Sequence, residues 1–194
     1  MTSEPNPPRT ESGPALTGTA ALTKPHEIAE RALELSRADG TVVIAEERTS
    51  ANLRWAANAL TTNGTTEGRT LTVIALVDGA EGTASGVVSR SAVTAGELEP
   101  LVRAAEAAAR GSGPAEDARP LITGTAPDPG FTEPPARTSP QVFAELAPAL
   151  GECFARARDA DHLLYGFAVH EMATTYCPPD GTRPCCRRPP WPTC

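Results

Sequence analysis

The stretch Arg69–Val77 (RTLTVIALV) constrains the fold more than any other. Leu71, Val73, Ala75 and Val77 alternate with Thr72, Ile74 and Leu76, so both faces of an extended segment are largely apolar. Such a strand needs neighbours on both sides, and Asp78-Gly79 directly after it is a hairpin-turn dipeptide. Ala80–Ser91, with Val87-Val88, is the expected return strand; Gly82 and Gly86 within it weaken pairing or admit another backbone close by.

On the N-terminal side, Thr41–Thr49 (TVVIAEERT) reads as a strand that enters the core and leaves at the surface. Ala51–Leu60 fits a strand, with Leu53, Trp55, Ala57 and Ala59 on one side, or a short helix joining Leu53, Ala56, Ala57 and Leu60. Asn63-Gly64 behind it supplies a turn without a helix stop, which favours the strand. Before these strands, Pro25, Glu27 and the spacing of Ile28, Ala32 and Leu35 predict a helix stopped by Gly40. After them, Thr94-Ala-Gly-Glu97 fits a capping box. It opens a helix with the apolar stripe Leu98, Leu101, Val102, Ala105 and Ala109, ended by Gly111 and bent near Pro100.

Residues 112–138 carry six prolines and read as a Pro-rich linker or loop that wraps a surface or separates two units. Ser139-Pro140 opens a further helix with Phe143, Leu146, Ala147, Leu150 and Phe154 buried, kinked or divided at Pro148. Leu163–Val169 has strand length, with no partner strand visible after it, and the readable pattern stops near Tyr176. The ends differ in kind. Residues 1–22 lack the large apolar side chains that offset the entropy of ordering and are expected to be disordered. Residues 177–194 (CPPDGTRPCCRRPPWPTC) show neither helix nor strand periodicity. The expected plan is α+β, an antiparallel sheet of about four strands with helices packed on it. Residues 23–111 form the main domain and 139–176 begin a further part.

With 24 acidic and 17 basic side chains among 194 residues, the chain repels phosphate backbones, and a nucleic-acid partner is not expected. No apolar run approaches the roughly 20 residues that span a bilayer, and no basic start leads into an apolar segment. The expectation is a soluble, cytoplasmic protein without a membrane role.

No residue is assigned to a catalytic, cofactor-binding or metal-binding role. His170-Glu171 begins like a zinc-peptidase helix, but Thr174 and Thr175 stand where the second histidine would be. His26 falls at a helix start and His162 in a helix-to-strand turn, with no carboxylate or thiol pattern linking them. Cys177, Cys185, Cys186 and Cys194 lack paired metal-ligand spacing, and five cysteines, counting Cys153, do not close a disulfide framework. Gly79, Gly82 and Gly86 lack phosphate-loop spacing, and no serine sits in a nucleophile elbow.

The order of motifs from His26 to Arg110 resembles the N-terminal domain of the TldD/PmbA family, also called modulator-of-gyrase proteins. The shared features are a leading helix, a strand carrying acidic residues, a strand through Asn52 and Leu53, and G-R-x-L-x-V at Gly68–Val73. Gly-x-Ala-Ser at Gly82–Ser85 and a closing alanine-rich helix follow. The resemblance extends to about Tyr176 and is strongest to actinobacterial members of the PmbA (TldE) type. It implies a metallopeptidase-related protein of a TldD–TldE pair. The zinc-type HExxxH helix is then carried only by the TldD-like partner, well downstream of this domain. This chain would be the TldE-like side, inactive alone, holding no metal, and contacting the TldD-like subunit and peptide. A free-standing binding or regulatory domain, or a non-functional truncated product, is the alternative. The departure at Cys177 suggests a frameshift, truncation or mispredicted gene end.

Overall fold

The computed structural model describes residues 24–119, 121, 128–178 and 186–188. The disorder expected for 1–22 and most of the 177–194 tail, including Cys185 and Cys194, lie outside the described residues.

Helix α1 (Pro25–Leu35) starts with proline at the first helical position, where its missing N–H would be unpaired anyway. It ends earlier than Gly40 predicts, because Ser36 turns extended and the Arg103 guanidinium donates to the Leu35 carbonyl. Gly40 instead opens strand β1 (Gly40–Ala56), which forms a long hairpin with β2 (Ala59–Gly79). The extended reading of Ala51–Leu60 is the one adopted, up to a turn at Ala57-Asn58. That turn replaces the one expected at Asn63-Gly64, which instead lies inside β2, with Asn52 opposite Gly64. The second hairpin turn falls on Ala80-Glu81, just past Asp78-Gly79, and leads into β3 (Gly82–Ser91).

Helix α2 (Leu98–Arg110) follows a short 3-10 turn, Ala95–Glu97. The Glu97 carboxylate accepts from the Thr94 backbone N–H at 2.9 Å and from its hydroxyl at 2.7 Å. These bonds hold the Glu97 carboxyl below the usual carboxylate range. Pro100 sits in the first turn of α2, where no intrahelical hydrogen bond is lost. The next helix is likewise divided, but at Ala144-Glu145 and not at Pro148. A 3-10 turn, Pro140–Phe143, precedes α3 (Leu146–Asp159), and Pro148 again falls in a first turn.

Strand β4 (Gly166–Cys177) pairs antiparallel with β1. A three-residue strand β5 (Cys186–Arg188) then pairs with β4, so the tail contributes a strand. Three residues are too few to show alternation, and edge pairing runs through the backbone, so no sequence pattern announced it. The sheet order is β3-β2-β1-β4-β5, antiparallel throughout.

One face of the sheet is covered. At one end α1 and α2 pack on Val43, Ala45, Leu71, Val73 and Ala75; at the other, Phe143 packs with Ala51 and Leu53. The predicted stripe of α2 is buried in full. Of the α3 stripe, Phe154 is buried while Leu146 is exposed. On the opposite face Val87 and Phe167 are exposed, at 59% and 69%.

Candidate functional site

Between the two apolar clusters the covered face turns polar. Glu47 and Arg69 are direct cross-strand partners there, and strand parity aims both toward the helices. They form an ion pair, with side chains 13% and 24% exposed. The start of α1 and residues 132–137 roof this spot, leaving a pocket of about 240 Å³.

Aromatic packing fixes one wall. Phe131 and Tyr176 meet edge to face at 6.2 Å between centroids, and His26 lies 5.8 Å from Phe131. His26 is 8% exposed, lines the pocket, and its buried Nδ1 has no hydrogen-bond partner. Threonine hydroxyls of the sheet hold the roof. Thr174 Oγ1 accepts from the Ala136 N–H and Thr49 Oγ1 from the Thr138 N–H, both at 3.0 Å, while the Tyr176 hydroxyl donates to the Glu133 carbonyl. These bonds satisfy loop backbone that would otherwise be buried unpaired. Two rim cations are paired: Lys24 with Glu27 at 2.9 Å and Arg137 with Glu67 at 2.6 Å.

His26, His162 and His170 are not brought together. His170 lies within β4, its Nδ1 2.8 Å from the Thr138 hydroxyl. Glu171, the next residue, points to the opposite face and pairs with Arg48 at 3.8 Å. A strand therefore separates the two groups that a zinc-peptidase helix would place together. His162 sits in the α3–β4 turn, where its carbonyl accepts from the Asn58 amide. Among the described residues no three His, Cys, Asp or Glu side chains group to hold a metal ion, so the donor set of a zinc centre does not fit here. Cys177 stands opposite Cys186 in the β4–β5 register. Gly86 receives the backbone of α2, not a phosphate.

Sequence reasoning missed the pocket. Its available signal was two charges, Glu47 and Arg69, at core-facing parity in strands that are otherwise apolar on that side.

The class of protein is thus an α+β domain whose antiparallel sheet carries helices on one face. Residues 41–110 match the family described as PmbA/TldA metallopeptidase domain 1. The fold is similar to that of TldE from Thermococcus kodakarensis, with 14% identity and a TM-score of 0.55. That match covers 84% of this chain and 36% of the other. It is similar also to a protein from Bacteroides thetaiotaomicron described as a modulator of DNA gyrase, at 17% identity and a TM-score of 0.56, covering 78% and 36%. The chain spans about a third of the length of these two structures. No curated protein matches the sequence. Among the described residues no helix is long and apolar enough to cross a membrane.

Proposed function

We propose that this chain is the first-domain portion of a TldE-like, non-catalytic partner in a peptide-processing metallopeptidase pair, and that it cleaves no peptide alone. The match of residues 41–110 to the first domain of the family carries this reading. Metal-assisted hydrolysis needs about three converging protein ligands. In this reading those ligands, and a metal of zinc type, belong to a TldD-like subunit. The role left to this domain is contact with extended peptide and with that subunit, through a sheet whose edge backbone can pair with another chain. Its place of work is the cytoplasm.

The test is to purify the chain alone and co-expressed with a TldD-like subunit, then assay cleavage of an unfolded peptide with and without chelator. The expected result is no cleavage by the chain alone, co-purification with the subunit, and chelator-sensitive cleavage by the pair. Chelator-sensitive cleavage by the isolated chain overturns the proposal.

A further inference from the structure

The pocket over Glu47 and Arg69 is lined by charged side chains and prolines. Three cations line it, Lys24, Arg69 and Arg137, each ion-paired with a carboxylate, Glu27, Glu47 and Glu67 respectively, and Glu133 is also in the lining. Helix α1 begins at its rim, and its N-cap residue, Lys24, provides no side-chain cap. The positive end of the helix dipole and the unpaired N–H groups of a first turn both favour an anion. The second observation is independent: His26 is buried in the wall with an unpartnered ring nitrogen. A buried polar group left unpaired is costly, which makes the position unusual for a purely structural wall.

Size narrows the ligand. At about 240 Å³ the pocket is smaller than the roughly 300–1,000 Å³ typical of whole small-molecule sites. Pro25, Pro134 and Pro135 add apolar wall beside the charges. A single terminal residue satisfies both, its α-carboxylate against the cations and its side chain against the prolines.

We propose that this pocket binds the C-terminal carboxylate of a peptide. The inference rests on the peptide-processing reading only for the choice of peptide as carrier of the carboxylate; it requires neither cleavage nor a partner subunit.

The experiment is an NMR titration of the ¹⁵N-labelled full chain with an unstructured pentapeptide as free acid, with its C-terminal amide, and with inorganic phosphate. The free acid is expected to shift the amides of His26, Arg69 and Arg137 saturably, with the amide at least tenfold weaker. Lys24→Gln combined with Arg137→Gln should weaken the free acid about tenfold or more. Both side chains are exposed, at 63% and 59%, so the spectrum away from the pocket should be unchanged. Equal binding of acid and amide, shifts that map elsewhere, an unaffected double variant, or no saturation overturns the proposal. Phosphate binding as tightly as the free acid also overturns it, reducing the pocket to a general anion site. The cleavage and co-purification assays read neither outcome, so the two proposals fail separately.

Discussion

Asn58 shows how one side chain can replace a turn signature. Ala57 and Asn58 occupy the left-handed region, with φ of 48° and 61°, as a two-residue hairpin turn matched to strand twist requires. The Asn58 amide donates to the His162 carbonyl at 2.6 Å and its oxygen accepts from the Leu164 N–H at 2.7 Å. Arg158 donates to the Asn58 carbonyl from α3, so the hairpin tip is tied to the connection before β4. Asn58→Ala should lose about 2–3 kcal/mol, from two hydrogen bonds and the left-handed strain of alanine. Asn58→Gly keeps the backbone freedom and should lose about 1 kcal/mol less. Ala57→Gly should gain up to about 1 kcal/mol, since it relieves strain already present. Urea unfolding of the three variants measures these values, and an Ala57→Gly loss would contradict the strain argument. The turn was illegible in the sequence because its dipeptide lacks glycine, and its fixing contacts lie about a hundred residues downstream. Asn63-Gly64, the stronger local signal, is simply carried within the hairpin.

At the scale of elements, α2 was the most legible part of the chain, because its stripe and the Thr94/Glu97 start are local patterns. Two of its long-range features were less so. The sequence allowed either weakness or close backbone approach at Gly86, and the structure selects the second: a Cβ there would fall on the backbone of Ala105 and Ala109. Gly86→Ala should therefore destabilise by about 3 kcal/mol, at the upper end for overpacking, since a helix backbone cannot rotate aside as a side chain can. A change under about 1 kcal/mol in chemical denaturation would mean that α2 shifts freely. Glu106, outside the apolar stripe, is 1% exposed. Burial opposes its ionisation, but the Arg37 N–H at 2.6 Å and the Arg103 guanidinium outweigh that, and its carboxyl is held below the usual range. A depressed carboxyl contributes stability above its unfolded value, near pH 4.3, and loses it as pH falls through the lower folded value. Stability of the wild type should thus decline below about pH 5. Glu106→Gln should flatten that decline and cost about 1–3 kcal/mol at pH 7, where the charge-assisted bonds from the Arg37 N–H and the part-exposed Arg103 guanidinium are weakened. Unfolding curves collected between pH 3 and 7 give both quantities; an unchanged acid slope would remove Glu106 from this role.

The whole molecule is one-sided. Phe167 and Val169, on the sheet face opposite the helices, stand 69% and 41% exposed, and Leu163 and Tyr165 just before β4 stand 64% and 65% exposed. Tyr165→Ser with Phe167→Ser should change stability by less than about 1 kcal/mol and should lower fluorescence of a bound hydrophobic dye. Equal dye binding by the double variant would place the dye elsewhere. The sequence indicated a sheet and its helices because strand and helix periodicities are written locally. It did not indicate which face stays open, nor that Glu47 and Arg69 meet beneath the start of α1, because both depend on the register of long strands. β1 settles that register, contributing Val43 and Ala45 to one apolar cluster and Ala51 and Leu53 to the other, with Glu47 midway. Neither cluster can melt without releasing a strand the other depends on. Heating should accordingly produce a single cooperative transition, with the amides of β1 the last to exchange with solvent, and a ligand held at the midpoint would raise the melting temperature of both halves together.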